Sequence, residues 1–312
     1  MVYHIWRYVR AGTTFPPIIP QTLRVNQDAL RRASTTPSPT PLLDAEPADV
    51  SIRPVSSLAE FRACVDLQAA VWGPEYTDNV PASLLQVATY VGGMVLGAFT
   101  DADELVGFLF GLTGIDGGEI VHWSHLLGVR DSARNMGVGR MLKEAQRSEL
   151  ARCGVQRMSW TFDPLVAKNA YLNFNRLGGR VVAYVPNMYG TTTSPLHYGI
   201  ATDRLVVSVD TGASASPRDA FDPAVIRPAV LTPAMQDGDV QPDLASPPPA
   251  LWIEIPSDIR QVFERAPAAA IAWRESVREH FQWALARGYT VMGLQREPVM
   301  TRSFYLLRRG VA

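Results

Sequence analysis

The chain has 312 residues, of which 47% are hydrophobic and 19% charged, with a formal net charge of -1. That size suits one sizeable core with an accessory unit, and the near-neutral balance argues against a general nucleic-acid or acidic-membrane partner, which would need a strong basic excess. Cys64 and Cys153 are the only cysteines, too few for a disulfide framework and too far apart for a zinc site or redox dithiol, so no metal and a reducing compartment are expected.

Met1–Val50 is rich in Pro, Thr and Ser, with Pro37, Pro39, Pro41 and Pro47 interrupting any regular element. Five arginines against one acid in its first 33 residues give it a faint transit-peptide character. The composition favours a mostly disordered leader. Met1–Arg10 lacks the apolar run of a secretory signal, and no window approaches the roughly 18 apolar residues of a membrane span. A cytoplasmic location and a small-molecule partner are expected.

Ser51–Asp210 alternates strand and helix patterns, as one α/β domain does. Strands are predicted over Ser51–Pro54, Val91–Thr100, Glu104–Thr113, Glu119–Val129, Gln156–Phe162, Arg180–Val185 and Arg204–Val209. Helices are predicted over Ser57–Val71, Gly137–Gly154 and Pro164–Leu177, the last closed by Gly178-Gly179. Asp101-Ala102-Asp103 makes a turn. Residues 211–250 read as a Pro-rich linker, the stretch Asp210–Ala250 holding eight prolines. Residues 251–312 form an accessory β-α-β-β unit, with strands Leu251–Ile255, Tyr289–Gln295 and Arg302–Leu307 around a helix Ala268–Arg287. Ile271, Val277, Phe281 and Leu285 are expected as its buried stripe. Sixty residues are marginal for independent folding, so this unit is expected to pack on the main domain.

The functional signal is Arg134-Asn135-Met136-Gly137-Val138-Gly139, between a strand ending at Val129 and a helix body Arg140–Ala151. Gly137 and Gly139 lack the Cβ atoms that would hold a phosphate away, and free N–H groups of a first helical turn carry the positive end of the helix dipole. A pyrophosphate fits there. Alone the pattern is weak. Its context is specific: it follows Leu126-Leu127-Gly128-Val129 and precedes Lys168-Asn169-Ala170 and a helix ending Leu177-Gly178-Gly179. A dinucleotide fold would want the glycines after its first strand, and a nucleoside-triphosphate loop would want Gly-Lys-Ser/Thr.

Over Ser51–Asp210 this order and spacing resembles the acetyl-coenzyme A site of the GNAT (Gcn5-related) N-acetyltransferase superfamily. The resemblance implies a mixed central β-sheet flanked by helices, and acetyl-CoA or another acyl-CoA as co-substrate. It implies an N-acyltransferase that moves the acyl group to the amine of a small molecule by direct attack, without a covalent enzyme intermediate. It puts the pyrophosphate on the backbone of Arg134, Asn135, Met136, Gly137, Val138, Gly139 and Arg140, and the pantetheine arm along Leu127 and Val129, paired like an added strand. The N–H of Val129 resembles the family's carbonyl-polarising donor. Asn169 matches the helix asparagine near the pantetheine, and also suits a local cap. His125-Leu126-Leu127-Gly128-Val129, Trp160-Thr161-Phe162-Asp163-Pro164-Leu165, Asn187-Met188-Tyr189-Gly190 and Thr202-Asp203-Arg204 resemble a narrower bacterial subgroup. Its members look associated with amino-acid N-acylation, succinylation included. Self-association as a homodimer stays open.

An amine of pKa about 10.4 must be deprotonated before attack. His125 is the candidate base, at a position where arylalkylamine N-acetyltransferases carry the second histidine of a His-x-His pair; Trp123 replaces the first. A hydrogen-bonded core histidine is the alternative. Strand parity puts His125 on a face with Glu119, a candidate relay through water, and His122 on the other. Where the family places its acid tyrosine this chain has Phe174, which makes Tyr189 the candidate acid. Asp163 suits either the substrate ammonium or a helix cap. Arg204 suits a carboxylate or a solvated surface. A non-catalytic acyl-CoA-binding module is the competing class, and Phe174 is its support.

Overall fold

A computed structural model describes residues 49–74, 76, 78–190, 201–212, 229–236, 239–297 and 302–310. The expected leader lies outside the described residues except for its last two. β1 (Ser51–Pro54) leads into α1 (Leu58–Trp72), which opens with a reciprocal cap: Glu60 N–H donates to Ser57 Oγ at 3.2 Å, and Ser57 N–H donates to Glu60 at 3.1 Å. A second helix, α2 (Ala82–Tyr90), precedes β2 (Met94–Phe99), β3 (Leu105–Asp116) and β4 (Glu119–Val129). A 3-10 turn at Asp131–Ala133 leads to α3 (Val138–Arg152) and β5 (Arg157–Phe162). The short α4 (Ala167–Tyr171) widens into a π turn over Leu172–Arg176, and β6 (Arg180–Val185) and β7 (Arg204–Asp210) follow.

These strands form one sheet in the order β1-β2-β3-β4-β5-β7-β6, antiparallel throughout except for the parallel β4–β5 pair. A second sheet at the C-terminal end has the order β10-β11-β9-β8. It is built from β8 (Ala229–Leu231), β9 (Ala250–Pro256), β10 (Tyr289–Glu297) and β11 (Arg302–Arg309). The helices α5 (Ile259–Arg265) and α6 (Pro267–Ala286) connect β9 to β10. The molecule is therefore a mixed α/β fold: a large mixed sheet flanked by helices, with a small second sheet.

One apolar cluster joins both sheets, with Phe162, Phe174 and Leu205 of the large sheet's side in continuity with Ile253, Phe281 and Tyr305. Phe174 meets Tyr305 edge-on at 6.0 Å, and Tyr305 meets Phe281 at 4.9 Å. Each such buried aromatic contributes about 1.5–3 kcal/mol through area removed from water. A second cluster, with Phe61, Leu67, Leu85 and Phe110, lies under α1 and α2.

Four expectations need correction. The predicted helix Pro164–Leu177 begins only at Ala167 and is a π turn beyond Tyr171, because the Asp163 carboxylate accepts the Leu165 N–H and holds a turn before it. The helices α2 and α5 had no counterpart in the sequence reading. The Pro-rich stretch contains a strand, β8, paired with β9. In α6, Ile271 is 47% exposed, while Ala270, Arg274, Val277, Phe281 and Ala284 are buried. Val277 and Phe281 are buried as expected and Leu285 packs on the core, so the inward stripe departs only at Ile271 and includes an arginine.

Candidate functional site

β4 and β5 are paired only at Val121/Arg157, His122/Met158 and Trp123/Ser159. Both strands continue, yet the ladder stops. Its cause lies on the other edge of β4, where Gly111 of β3 faces Ser124 and Phe110 faces Leu126, leaving His125 as an extra residue. A bulge of this kind bends its strand and increases the local twist, so β4 leaves β5 and a fork opens. Strand-like ligand groups can pair along such an edge.

A buried amine stands at the vertex. Lys143 of α3 is 4% exposed, and its Nζ lies 4.1 Å from the centre of the Trp160 ring on β5. The Trp160 Nε1–H donates to Asn173 Oδ1 at 2.9 Å. Burial pushes the Lys143 amine well below the ordinary lysine range.

The glycine turn lies at the open end of β4. Asn135 (φ 67°) and Gly137 (φ 77°) are left-handed, and Gly137 is the N-cap of α3 with no side-chain cap. A Cβ at Gly137 would meet nothing within 4 Å, so conformation and not packing requires glycine there. The first turn of α3 carries no acidic residue, leaving its N–H groups and dipole uncompensated. A Cβ at Gly139 would lie 3.5 Å from Leu127 and 4.0 Å from Val129, so the helix start packs on the end of β4. Lys168 of α4 donates to the Asn135 side chain across the turn. Arg134 pairs with Asp131 at 2.9 Å and Arg140 with Glu144 at 2.7 Å. Met136 is exposed and Val138 buried. Asn169 is exposed on α4 beside Lys168.

His122 and His125 face opposite ways. His122 is buried against α3: its Nδ1 lies 2.9 Å from Thr113 Oγ1 and its Nε2 2.9 Å from Gln146 Nε2. Thr113 donates its own proton to Gly92 O, so His122 Nδ1 is the donor to Thr113 and Nε2 accepts from Gln146. Desolvation first, then the Lys143 charge, lowers its pKa to about 4. His125 meets Phe110 edge-on at 6.0 Å, on the α1/α2 side. Its ring reaches solvent, yet surrounding protein desolvates it enough to lower its pKa. Glu119 is exposed opposite Asp116 at the start of β4. Six residues of strand, about 20 Å, separate it from His125, and the structure does not bring the two together.

The opposite wall is the end of β5 and the start of β7. Tyr189, 44% exposed, lies 3.1 Å through its hydroxyl from Thr161 Oγ1 of β5, and its ring lies 5.2 Å from the Arg204 guanidinium carbon. Tyr76, from the α1–α2 connection, is within electrostatic reach of Tyr189 and Arg204. Arg204 is buried, not solvated, and donates to the Asp203 carbonyl at 3.0 Å. Asp163 is gripped by Arg274 of α6 at 2.8 and 2.6 Å, with Arg204 at 3.8 Å. Burial opposes its ionisation, but Arg274 and Arg204 hold the carboxyl below its usual range. Its oxygens are thus engaged by Arg274 and the Leu165 N–H; the latter is a turn contact and not a helix cap, since the N-cap of α4 is Val166 with no side-chain cap. Phe174 is buried against Phe162. Sequence reasoning missed Lys143, Arg274 and Arg278; a lysine and two arginines on the inward faces of amphipathic helices were the available signal.

No family model matches the chain, and no curated protein matches its sequence. Among solved structures it is similar to an acetyltransferase of the GNAT family from Streptococcus pneumoniae, at 12% identity and a TM-score of 0.43 over 52% of this chain and 99% of that one. It is similar also to a protein from Salmonella typhimurium solved with its cofactor acetyl-CoA, at 19% identity and a TM-score of 0.41 over 55% of this chain and 99% of the other. The ribosomal-protein-S18-alanine N-acetyltransferase from Escherichia coli is a third, at 14% identity and 0.41, over 55% and 99%.

Proposed function

We propose that this chain is a GNAT-type N-acyltransferase that binds acyl-CoA in the β4–β5 fork and passes the acyl group to an amine. The observation that carries the reading is the coincidence of that fork with the left-handed Gly137 turn at the start of α3. The turn offers unpaired N–H groups to a pyrophosphate, and Leu127 and Val129 line the way from it to the fork. The Val129 N–H polarises the thioester carbonyl, where negative charge develops on attack. His125 takes the amine proton, and Tyr189 across the fork protonates the departing thiolate, a leaving group of pKa about 8.5 that water or the product ammonium also serves. The new N–C bond forms as the C–S bond breaks, directly and with no acyl-enzyme. Asn169 contacts the pantetheine arm. Glu119 is left without a direct part.

The acceptor is a small-molecule amine, an amino acid being the first class to screen, and the donor is acetyl- or succinyl-CoA. Arg204 beside Tyr189 is the group suited to a carboxylate on either. The domain division at residues 51–210 and 251–312, and a cytoplasmic location, belong to the same proposal; no helix among the described residues is long and apolar enough to cross a membrane. Calorimetric titration with acetyl-CoA, then thiol release with a panel of amines, tests it. Binding without release on any amine would favour the second reading, a non-catalytic acyl-CoA-binding module, for which the burial of Phe174 at the family's acid position is the support.

A further inference from the structure

The C-terminal helix reaches the proposed acceptor wall through one stripe, Arg274, Arg278 and Phe281, spaced i, i+4 and i+7 on one face of α6. Arg274 holds Asp163 at the end of β5. Arg278 donates to both oxygens of Asp203, at 2.8 and 2.7 Å, and Phe281 stacks on Tyr184 at 5.7 Å with rings 23° apart. Asp203 is fully buried, and its carboxylate also accepts the Tyr184 hydroxyl at 2.7 Å and the Asn187 N–H at 2.9 Å. The neighbouring Thr202, equally buried, accepts the Tyr189 N–H at 3.0 Å and donates to Gly190 O at 2.9 Å. Asn187 is left-handed at φ 45°, a conformation that needs such support in a residue other than glycine. The turn that presents Tyr189 is therefore folded onto two consecutive buried side chains, and a guanidinium from α6 grips the charge of one of them.

We infer that Arg278 is a positioning residue for the acceptor wall: through Asp203 it fixes the 186–190 turn and hence the Tyr189 hydroxyl, so that the C-terminal unit completes the site. Arg278 itself is 30% exposed along its side chain and touches no reacting atom. Its bidentate grip on a carboxylate that also organises two other elements transmits the position of α6 to Tyr189. The inference rests on the proposed acyl transfer only for its catalytic consequence.

The test compares full-length wild type with Arg278→Met by hydrogen exchange and by kinetics with acetyl-CoA and the best amine of the panel. Amides of residues 187–190 should exchange at least about 10-fold faster in the variant, while those in the body of α3 keep their protection. With the donor saturating, kcat should fall by up to about 10²-fold and KM for the amine should rise, because a small displacement of a positioned group costs that much. The dissociation constant of acetyl-CoA should stay within about twofold, since the pyrophosphate turn is untouched. Arg278→Lys, which keeps the charge and loses the fork, should be intermediate and replaces Arg278→Met if that protein does not fold. Unchanged exchange at 187–190, faster exchange there with unchanged kcat/KM, or equally faster exchange throughout the chain would each overturn the inference. Wild type that transfers to no amine would sink the proposed function instead, and the exchange comparison would still decide whether Arg278 anchors the turn.

Discussion

Lys143 donates to the hydroxyl of Ser124 at 2.7 Å, one residue before the bulge at His125. The same Nζ faces the Trp160 ring, so a single side chain from the helix that starts at the glycine turn touches both arms of the fork where they part. Lys143→Met keeps the stem and removes the amine. Stability should change little, because the lost contacts, about 1–2 kcal/mol, are offset by relief of a buried amine's desolvation. The acyl-CoA KM should rise and kcat should fall by about 10-fold as the fork relaxes. Steady-state kinetics with wild-type values for both constants would refute a role in holding the fork.

For His125 the expectation is kinetic. His125→Gln should lower the rate at saturating donor by about 10²–10⁴-fold, the usual worth of a general base, and leave coenzyme A affinity intact. The free base is the active form, so wild-type activity should climb with pH through the histidine pKa. Since desolvation lowers that pKa, the limb belongs below about pH 6.5. A pH-rate profile in which the variant keeps this limb would remove His125 from the mechanism.

Gly137→Asp should abolish acetyl-CoA binding, because a β-carbon strains a backbone at φ 77° and the carboxylate meets the anion where it is to sit. Gly137→Ala separates the two effects, since a Cβ there meets no neighbour: it should cost about 1 kcal/mol of stability and only modest affinity. Equal calorimetric affinities for wild type and Gly137→Asp would place the pyrophosphate elsewhere.

His122 predicts an acid-sensitive fold. Its pKa falls on folding from 6.5 to about 4, so between those values the unfolded chain binds more protons than the folded one. Stability should therefore be full above about pH 6.5 and decline as the pH drops toward 4, by up to roughly 3 kcal/mol from this group. Denaturant midpoints measured across pH 4–7 check this. His122→Gln should flatten the curve there while affecting turnover far less than His125→Gln.

Asp163→Asn should be among the most damaging single changes. It leaves Arg274 and Arg204 buried without their shared carboxylate, a loss of about 3–5 kcal/mol. Combining it with Arg274→Met should recover part of that loss, which a thermal-melt double-mutant cycle would show as strong coupling.

The large sheet was legible because its strands carry short-range signals: the apolar runs of Met94–Phe99 and Leu105–Phe110, and the turn at Asp101-Ala102-Asp103. The Gly137 turn was legible for the same reason, its chemistry lying within a few residues. α2 escaped notice because Pro81 supplies no side-chain cap and Leu84 and Val87 lie exposed on it, blurring the amphipathic pattern. Asp258, which caps α5 by accepting from the Arg260 N–H at 3.0 Å, was a readable start signal that went unused. The bulge at His125 arises from pairing with β3, not from any residue of β4, and left no local mark. The acceptor wall was least legible of all: Arg274 and Asp163 are 111 residues apart, and Arg278 and Asp203 are 75. Only the packing of α6 brings them together.

The apolar cluster that runs without a break from Phe162 and Leu205 into Ile253 and Phe281 leaves no seam at which the two sheets could come apart in stages. Heat should therefore produce one calorimetric transition, with the same enthalpy from the trace and from its temperature dependence. The adhesive surface is also independent of the covalent connection between its halves. Residues 1–212 and 229–312, made together as two separate polypeptides, should find each other and co-purify as one folded particle, whereas either piece made alone should aggregate through the face its counterpart covers.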